Sequence, residues 1–443
     1  MKEKKEIRIV DAPTGAGKTT ALLHILGEKY SQFKNDHKER FICVSPYIKE
    51  IETNMERLKG MGVNVTQPTR ERGKGKELVE TLLPHGENVF ITHELLQRSF
   101  SRIYDTLTAP NFPYKYSLFI DEEPTVLQEL QEKTGDSDTD SKLDRLLSSG
   151  LYVPVENLSE KDLDNMESLG LLLKGTADSP HRLYTNPYDN TGTIYDSFRD
   201  FFKRYDVYWI KQDNKLKLKY FIPADFWSCF DTVTIMSYRT EYSFFNAYCN
   251  LSHLPITFYH VNEDMTAFVK GLKRDKPKGV ERMIVEPIPD SKSYKGYELS
   301  YSWYHQKATQ KDMKRLKDTM SSFSRDYKSA TILWSTFKDA ERKLTNANKG
   351  LTKNNFLAHN ALATNEYDSK TTILYGVNKC LNPFDANLWK TLGQPIDADN
   401  WSLSLLIQFV WRSNIRVHDS NSPIHLYLPS ERMRNLFTQW LEE

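Results

Sequence analysis

Apolar residues fall in short, nearly unbroken runs separated by longer stretches of mixed polarity. This is the pattern of parallel strands buried on both faces alternating with helices buried on one. Runs at 7–10 (Ile-Arg-Ile-Val), 41–44 (Phe-Ile-Cys-Val), 88–91 (Asn-Val-Phe-Ile) and 116–120 (Tyr-Ser-Leu-Phe-Ile) predict four strands. Stretches 19–26 and 48–59 carry apolar residues at helical spacing and follow the first two. From about 127 to 220 the pattern changes. Residues 135–141 are acidic and polar, 143–147 and 160–173 are weakly helical, and 205–210 and 215–221 read as strands. The last of these alternates charged with apolar residues, as a two-faced strand of a hairpin does. A buried strand returns at 231–236. The run 255–260 reads as a linker or an early strand of a second unit, and 273–290, with its Pro, Lys and Arg, as an exposed excursion. A second series then begins. It has an amphipathic helix at 310–324, strands at 330–334 and 370–375, a helical turn near 381–384, a helix at 403–416, a strand at 424–428 and a terminal helix at 431–441.

With 443 residues the chain is long enough for two or three domains. Charged residues make up 27% and the net charge is +1, so any nucleic-acid surface must be a local groove rather than a global field. Four scattered cysteines (Cys43, Cys229, Cys249, Cys380) show no metal-ligand pairing and are expected as reduced core residues. No apolar run approaches membrane-spanning length, which points to a cytoplasmic protein.

Candidate chemistry concentrates where the predicted strands end. The first strand opens into Ala12-Pro-Thr-Gly-Ala-Gly-Lys-Thr19 and then a helix, the layout of a phosphate-binding loop. Gly15 and Gly17 let backbone N–H groups turn inward where a side chain would block a phosphate oxygen. Lys18 would reach the β- and γ-phosphates, and the Thr19 hydroxyl would hold Mg²⁺. The fourth strand delivers Asp121-Glu122-Glu123. Asp121 would bind the metal through water and Glu122 would polarise an attacking water, while Glu123 reads as structural. Ser45-Pro46 and Thr92-His93 follow the second and third strands, and Ser237-Tyr-Arg-Thr240 follows the strand at 231–236. The locally basic loop 70–76 reads as solvated, with contact to phosphates as the alternative. Near the C-terminus Gln408, Arg412 and Arg416 recur every four residues among strongly apolar neighbours, which would place them on one helix face aimed at an interface.

In this order the pieces resemble a superfamily 2 helicase over nearly the whole chain. The loop 12–19 resembles motif I, in the Ala-first form typical of that superfamily. Ser45-Pro46 resembles motif Ia, Thr92-His93 Ib, Asp121–Glu123 II and Ser237–Thr240 III. Trp334-Ser-Thr336 falls where IV is expected, Ala363-Thr364-Asn365 where V is expected, and Gln408–Arg416 where VI is expected. In the last, Trp411 stands where the family has Gly and the second Arg comes one position late, so both Arg412 and Arg416 remain candidates for an arginine finger. The combination is similar to helicase-like proteins of bacteriophages and mobile elements.

The resemblance implies an α/β fold with two tandem RecA-like parallel-sheet lobes. Residues 1–254 would form the first, with an α+β insertion at about 127–222, and 255–443 the second. ATP and Mg²⁺ would lie between them, held by Pro13, Thr14, Gly15, Ala16, Gly17, Lys18, Thr19 and Thr20. Asp121 and Glu122 would complete the first lobe's share, and Gln408, Arg412 and Arg416 would come from the second. A polynucleotide, single-stranded DNA with RNA as the alternative, would be gripped by Ser45, Pro46, Thr92, His93, Thr336, Thr364 and Asn365. The expected activity is nucleic-acid-stimulated ATP hydrolysis in phage or mobile-element replication or recombination, within the host cytoplasm. The alternative is a remodelling or packaging motor that does not separate strands.

Overall fold

The computed structural model describes residues 5–31, 37–130, 207–212, 215–273, 276–360, 366–417 and 419–443. The expected polar loop 135–141 and helical stretches 143–147 and 160–173 lie outside them, as do Thr364 and Asn365.

Seven strands form the first sheet: β1 (Ile7–Asp11), β2 (Glu39–Ser45), β3 (Val89–Thr92), β4 (Lys115–Asp121), β8 (Val233–Ser237), β9 (Ile256–Val261) and β10 (Phe268–Lys270). Their order is β10-β9-β1-β8-β4-β2-β3, and all are parallel except β10, which runs antiparallel to β9. The unbroken apolar runs have a direct cause here. Val10, Phe41, Cys43, Phe90 and Met236 point into one core with helices α1 (Lys18–Tyr30) and α2 (Ile48–Gly60). Ile9, Ile42, Val44, Val89, Ile91 and Ile235 point into the other, with α3 (His93–Leu107) and α4 (Phe244–Leu251). Successive side chains thus serve opposite faces, and both faces are covered.

The run expected as a linker or an early strand of the second unit is β9, paired in parallel with β1 from Ile7↔Ile256 to Val10↔Tyr259. The boundary expected at residue 255 therefore falls inside the first sheet. Within the stretch 127–222 a small antiparallel sheet is described, in the order β5-β7-β6, with β5 (Leu127–Leu130), β6 (Val207–Gln212) and β7 (Lys215–Phe221).

The second sheet is wholly parallel, ordered β11-β14-β13-β12, with β11 (Met283–Val285), β12 (Ile332–Ser335), β13 (Thr372–Tyr375) and β14 (Ile424–Tyr427). β11 lies within the stretch expected to be an exposed excursion. At three residues, with Ile284 exposed, it carries too short an apolar pattern to be read as a strand alone. Around this sheet pack α5 (Gln310–Ser324), α7 (Ala398–Val410) and α8 (Glu431–Glu442), centred on Trp334, Tyr375 and Trp411. Helix starts follow their caps. Thr309 and Asp312 form a reciprocal capping box on α5, and the Ser430 hydroxyl accepts from Met433 N on α8.

Helix α6 (Pro383–Thr391) crosses between the halves. It lies late in sequence, yet Leu388 and Trp389 belong to the first sheet's core. The Trp389 ring meets Phe221 at 5.1 Å and stacks on Phe244 at 5.9 Å, and Asp385 pairs with the largely buried Lys219. The two sheets thus share apolar packing as well as a cleft. Among the described residues no helix is long and apolar enough to cross a membrane. Cys43 and Cys249 are buried, whereas Cys229 and Cys380 are only half-buried, and all four are free thiols.

Candidate active site

Register places the site. Asp11 pairs with Ser237 and Asp121 with Met236, so β1, β8 and β4 end side by side and discharge three loops at one edge of the sheet. The carboxyl ends of parallel strands are where ligands bind in open α/β sheets. The loops are sewn together by Ala12 N to Ser237 O at 2.9 Å and Glu122 N to Met236 O at 2.9 Å.

Gly15 and Gly17 are both left-handed, at φ +85 and +84, and Gly17 is the N-cap of α1 without any side-chain cap. The first N–H groups of α1 thereby have no side-chain cap, an arrangement that can receive an anion. Lys18 folds back over its own loop, Nζ donating to Ala12 O at 2.5 Å and Pro13 O at 3.1 Å. Burial lowers its pKa, and Asp121, Asp11 and Glu122 pull it back up. Thr19 Oγ1 donates to Asp121 Oδ2 at 3.1 Å, closing a contact across 102 residues of sequence. Burial raises the Asp121 pKa, while Lys18 and the Thr19 hydroxyl hold it down. His93 Nε2 donates to Asp121 O at 2.6 Å; burial depresses its pKa, against that hydrogen bond and the Asp121 charge. Glu122 sits at φ +68, and Glu123 accepts from Ser237 Oγ at 3.1 Å, with burial pushing its pKa to about 8.

The second half closes the site. Arg412 is 6% exposed, with Nη2 3.9 Å from Glu122 Oε1, and its Nη1 is buried without a hydrogen-bond partner among the described residues. Arg416 lies over the loop, its Cβ 3.3 Å from where a Cβ on Gly15 would stand. The arginines do not share a helix face, however. α7 stops at Val410, and the chain tightens into three-residue turns, with Arg412 N to Phe409 O at 3.1 Å, Ser413 N to Val410 O at 3.1 Å and a turn over Asn414–Arg416. Ser413 breaks the spacing because its hydroxyl bonds locally, donating to Val410 O at 2.7 Å and accepting from Ile415 N. Gln408 remains on α7 and lines the cleft.

Between the halves runs a cleft of about 1520 Å³. Its walls include Thr14, Gly15, Gly17, Lys18, Thr19, Thr20, Asp121 and Glu122, with Gln408 and Arg416 opposite. Arg57, Arg70, Lys74, Lys76, Arg98 and Arg102 extend it as a basic wall, so the loop 70–76 is part of the cleft.

The expected polynucleotide contacts divide. Pro46 and Thr92 line the cleft, though the Thr92 hydroxyl is engaged in capping α3 through Leu95 N at 3.2 Å. Ser45 is 3% exposed and His93 is turned onto Asp121. Thr336 is 0% exposed at the end of β12, so its side chain meets no ligand in this conformation.

Three residues escaped the sequence reading. Glu50, in the first turn of α2, lines the cleft, and burial beside Asp121 and Glu122 raises its pKa to about 7 despite Arg412 and Arg416. Met265, at φ +54 in the β9–β10 loop, packs on Gly17, with Sδ 2.5 Å from where a Cβ would be. Asp11 is buried and accepts two backbone N–H groups, from Arg239 at 3.0 Å and Thr240 at 2.9 Å. An aspartate ending an apolar strand was the available signal for the last; the other two depend on tertiary contacts.

Residues 282–441 match a family described as the YonV C-terminal Rossmann-like domain, a stretch that runs from β11 into α8. Over its whole length the chain is also similar to a protein of Bacillus subtilis (strain 168), described as the SPbeta prophage-derived uncharacterized protein YonV. The two are 27% identical, and the match covers 99% of each chain. The second sheet is thus Rossmann-like, and the similar protein is of prophage origin.

Proposed function

We propose that this chain is an ATP-driven nucleic-acid helicase or translocase of two RecA-like lobes, working in phage or mobile-element replication or recombination. The observation that carries the reading is the convergence of Thr19 and Asp121 at 3.1 Å, with Arg412 arriving from the other half 3.9 Å from Glu122. A phosphate loop, a paired acid and a cross-cleft arginine are the parts phosphoryl transfer needs. The loop's N–H groups and Lys18 bind the β- and γ-phosphates. Thr19 Oγ1 and Asp121 are hard oxygen donors suited to Mg²⁺, which neutralises phosphate charge when bound. Glu122 takes a proton from the attacking water as the bond from the γ-phosphorus to the bridging oxygen breaks. Arg412 and Arg416 stabilise charge developing on the γ-phosphate. Because they come from the second half, cleavage is linked to the closure of the cleft. The prophage origin of the similar protein supports the phage setting.

The test is ATP hydrolysis with single- and double-stranded DNA and RNA, run beside a duplex-displacement assay. Stimulated turnover with displacement is the expected result. Stimulation without displacement turns the reading to a motor that does not part strands, and no hydrolysis under any condition overturns it. Lys18→Ala abolishes turnover if the loop is the nucleotide site.

A further inference from the structure

Arg239 does not belong to the nucleotide-binding set, yet it spans the two halves. It sits in the loop after β8, which Asp11 pins through the Arg239 and Thr240 backbone N–H groups. Asp11 is the last residue of β1 and immediately precedes the phosphate loop, so one carboxylate ties the base of that loop to Arg239. The residue holds φ +54, a left-handed conformation that a side-chain-bearing residue keeps only when its surroundings enforce it. It is 9% exposed, with its guanidinium 4.8 Å over the Tyr242 ring.

From there the guanidinium crosses to α7. Nη2 donates to Asn400 Oδ1 at 2.5 Å and Nε to Ser404 Oγ at 3.3 Å. Both acceptors are preset. The α7 N-cap, Asp397, holds Asn400 by its Nδ2 at 2.8 Å, and Ser404 Oγ donates to Asn400 O at 2.8 Å. Asn400, Ser404 and Gln408 recur every four residues and share one face of α7. Arg412 follows Gln408 by another four, and its Nε is directed at Gln408 O. The face that Arg239 grips thus leads to Gln408 and Arg412.

We infer that Arg239 is a positioning residue that couples the phosphate loop to the arginines of the opposite half, setting through α7 where Arg412 lies relative to Glu122. The inference rests on the ATPase reading above for its consequence in turnover, but its geometry stands apart from it. Arg239 does not line the cleft; it acts by holding Asn400 and Ser404, and removing it takes those two hydrogen bonds from α7.

The test compares wild type, Arg239→Ala, Arg239→Lys, the double variant Asn400→Ala/Ser404→Ala, Arg412→Ala and Arg239→Ala/Arg412→Ala in the full chain. Affinity for a fluorescent ATP analogue, steady-state hydrolysis and amide hydrogen exchange are measured for each. Arg239→Ala is expected to lower kcat by about 5–150-fold, the usual span of intersite coupling, with analogue affinity within about twofold of wild type. Asn400→Ala/Ser404→Ala, which leaves the strained loop intact, should reproduce that split, and Arg239→Lys should restore part of it. Arg239→Ala should add little to Arg412→Ala, because the two act on one event. Exchange in 398–417 should quicken while β1 stays protected.

Wild-type kcat in Arg239→Ala, or losses that multiply with Arg412→Ala, overturn the coupling. Equal losses of affinity and kcat also overturn it, because they report a damaged loop rather than a misplaced arginine. A wild type without turnover sinks the ATPase reading alone; the exchange measurement then decides the coupling, and unchanged exchange in 398–417 rejects it.

Discussion

The lysine wall and the arginine wall of the cleft differ in how they are built. The first is local: one strand, six residues of loop and one helix set Gly15, Gly17, Lys18 and Thr19, and the Lys18 and Thr19 side chains already have hydrogen-bond partners. Lys18 rests on two carbonyls of its own loop, and Thr19 on Asp121. The second is assembled at a distance. Arg412 and Arg416 hang from irregular turns beyond α7, and one Arg412 nitrogen is buried with no partner among the described residues. A buried donor left unmatched costs about 1–3 kcal/mol, more for a charged group, and under the ATPase reading a bound phosphate would supply the acceptor. On that reading one wall would receive a phosphate and the other would respond to it.

The sharpest way to break this contrast is to remove the arginines one at a time. Under the ATPase reading, Arg412→Ala should cost about 10³–10⁵ in kcat, as a finger does, and Arg416→Ala, which packs on Gly15 rather than facing Glu122, should cost less. Steady-state hydrolysis measures both, and the reverse ranking would make Arg416 the finger. Next comes the strut between the halves. Trp389→Ala removes a fully buried ring from a core built mainly of residues far earlier in sequence, and should destabilise the protein by about 3–5 kcal/mol in denaturant unfolding. Loss confined to the second half would show that the halves do not share this core.

A smaller effect comes from Gly17→Ala, which meets both a left-handed φ and the Met265 sulfur. About 1–3 kcal/mol of stability should go, seen as a lower Tm, and Gly17→Ala with Met265→Ala should recover the share due to the clash. The smallest is a slope with pH. Glu50 titrates at about 7 in the fold against 4.5 normally, so between those values the unfolded chain has released a proton that the native protein keeps. Stability from this group is therefore complete below about pH 4.5 and is lost as pH rises through 7. Glu50→Gln should flatten that fall in unfolding free energy; an unchanged slope would place Glu50 away from the acids.

Much of the first half was legible because its pattern is short-range. The apolar run 41–44 at the heart of β2 and the glycine turn before α1 each announce themselves within a dozen positions. The apolar spacing at about 310–324 coincides with α5, whose start the Thr309–Asp312 box fixes. What escaped did so for physical reasons. β9 has the composition of any half-buried strand, and only pairing decides which sheet it joins. The spacing of Gln408, Arg412 and Arg416 was read as one helix, but the Ser413 hydroxyl offers the backbone a competing partner and the helix ends first. Thr336 looked like a loop contact by its place after a strand, yet that strand end is packed over.

By itself, the sequence determined the alternation of buried strands and helices, the phosphate-loop geometry and the acid pair, because each depends on residues close together in the chain. Tertiary structure alone decided that Glu50 joins the acids of the cleft, that Met265 packs on Gly17, that Trp389 is shared with the first core, and that Arg239 reaches α7. Those contacts join segments 100 or more residues apart or turn on a single side chain's direction, and local spacing holds no record of either.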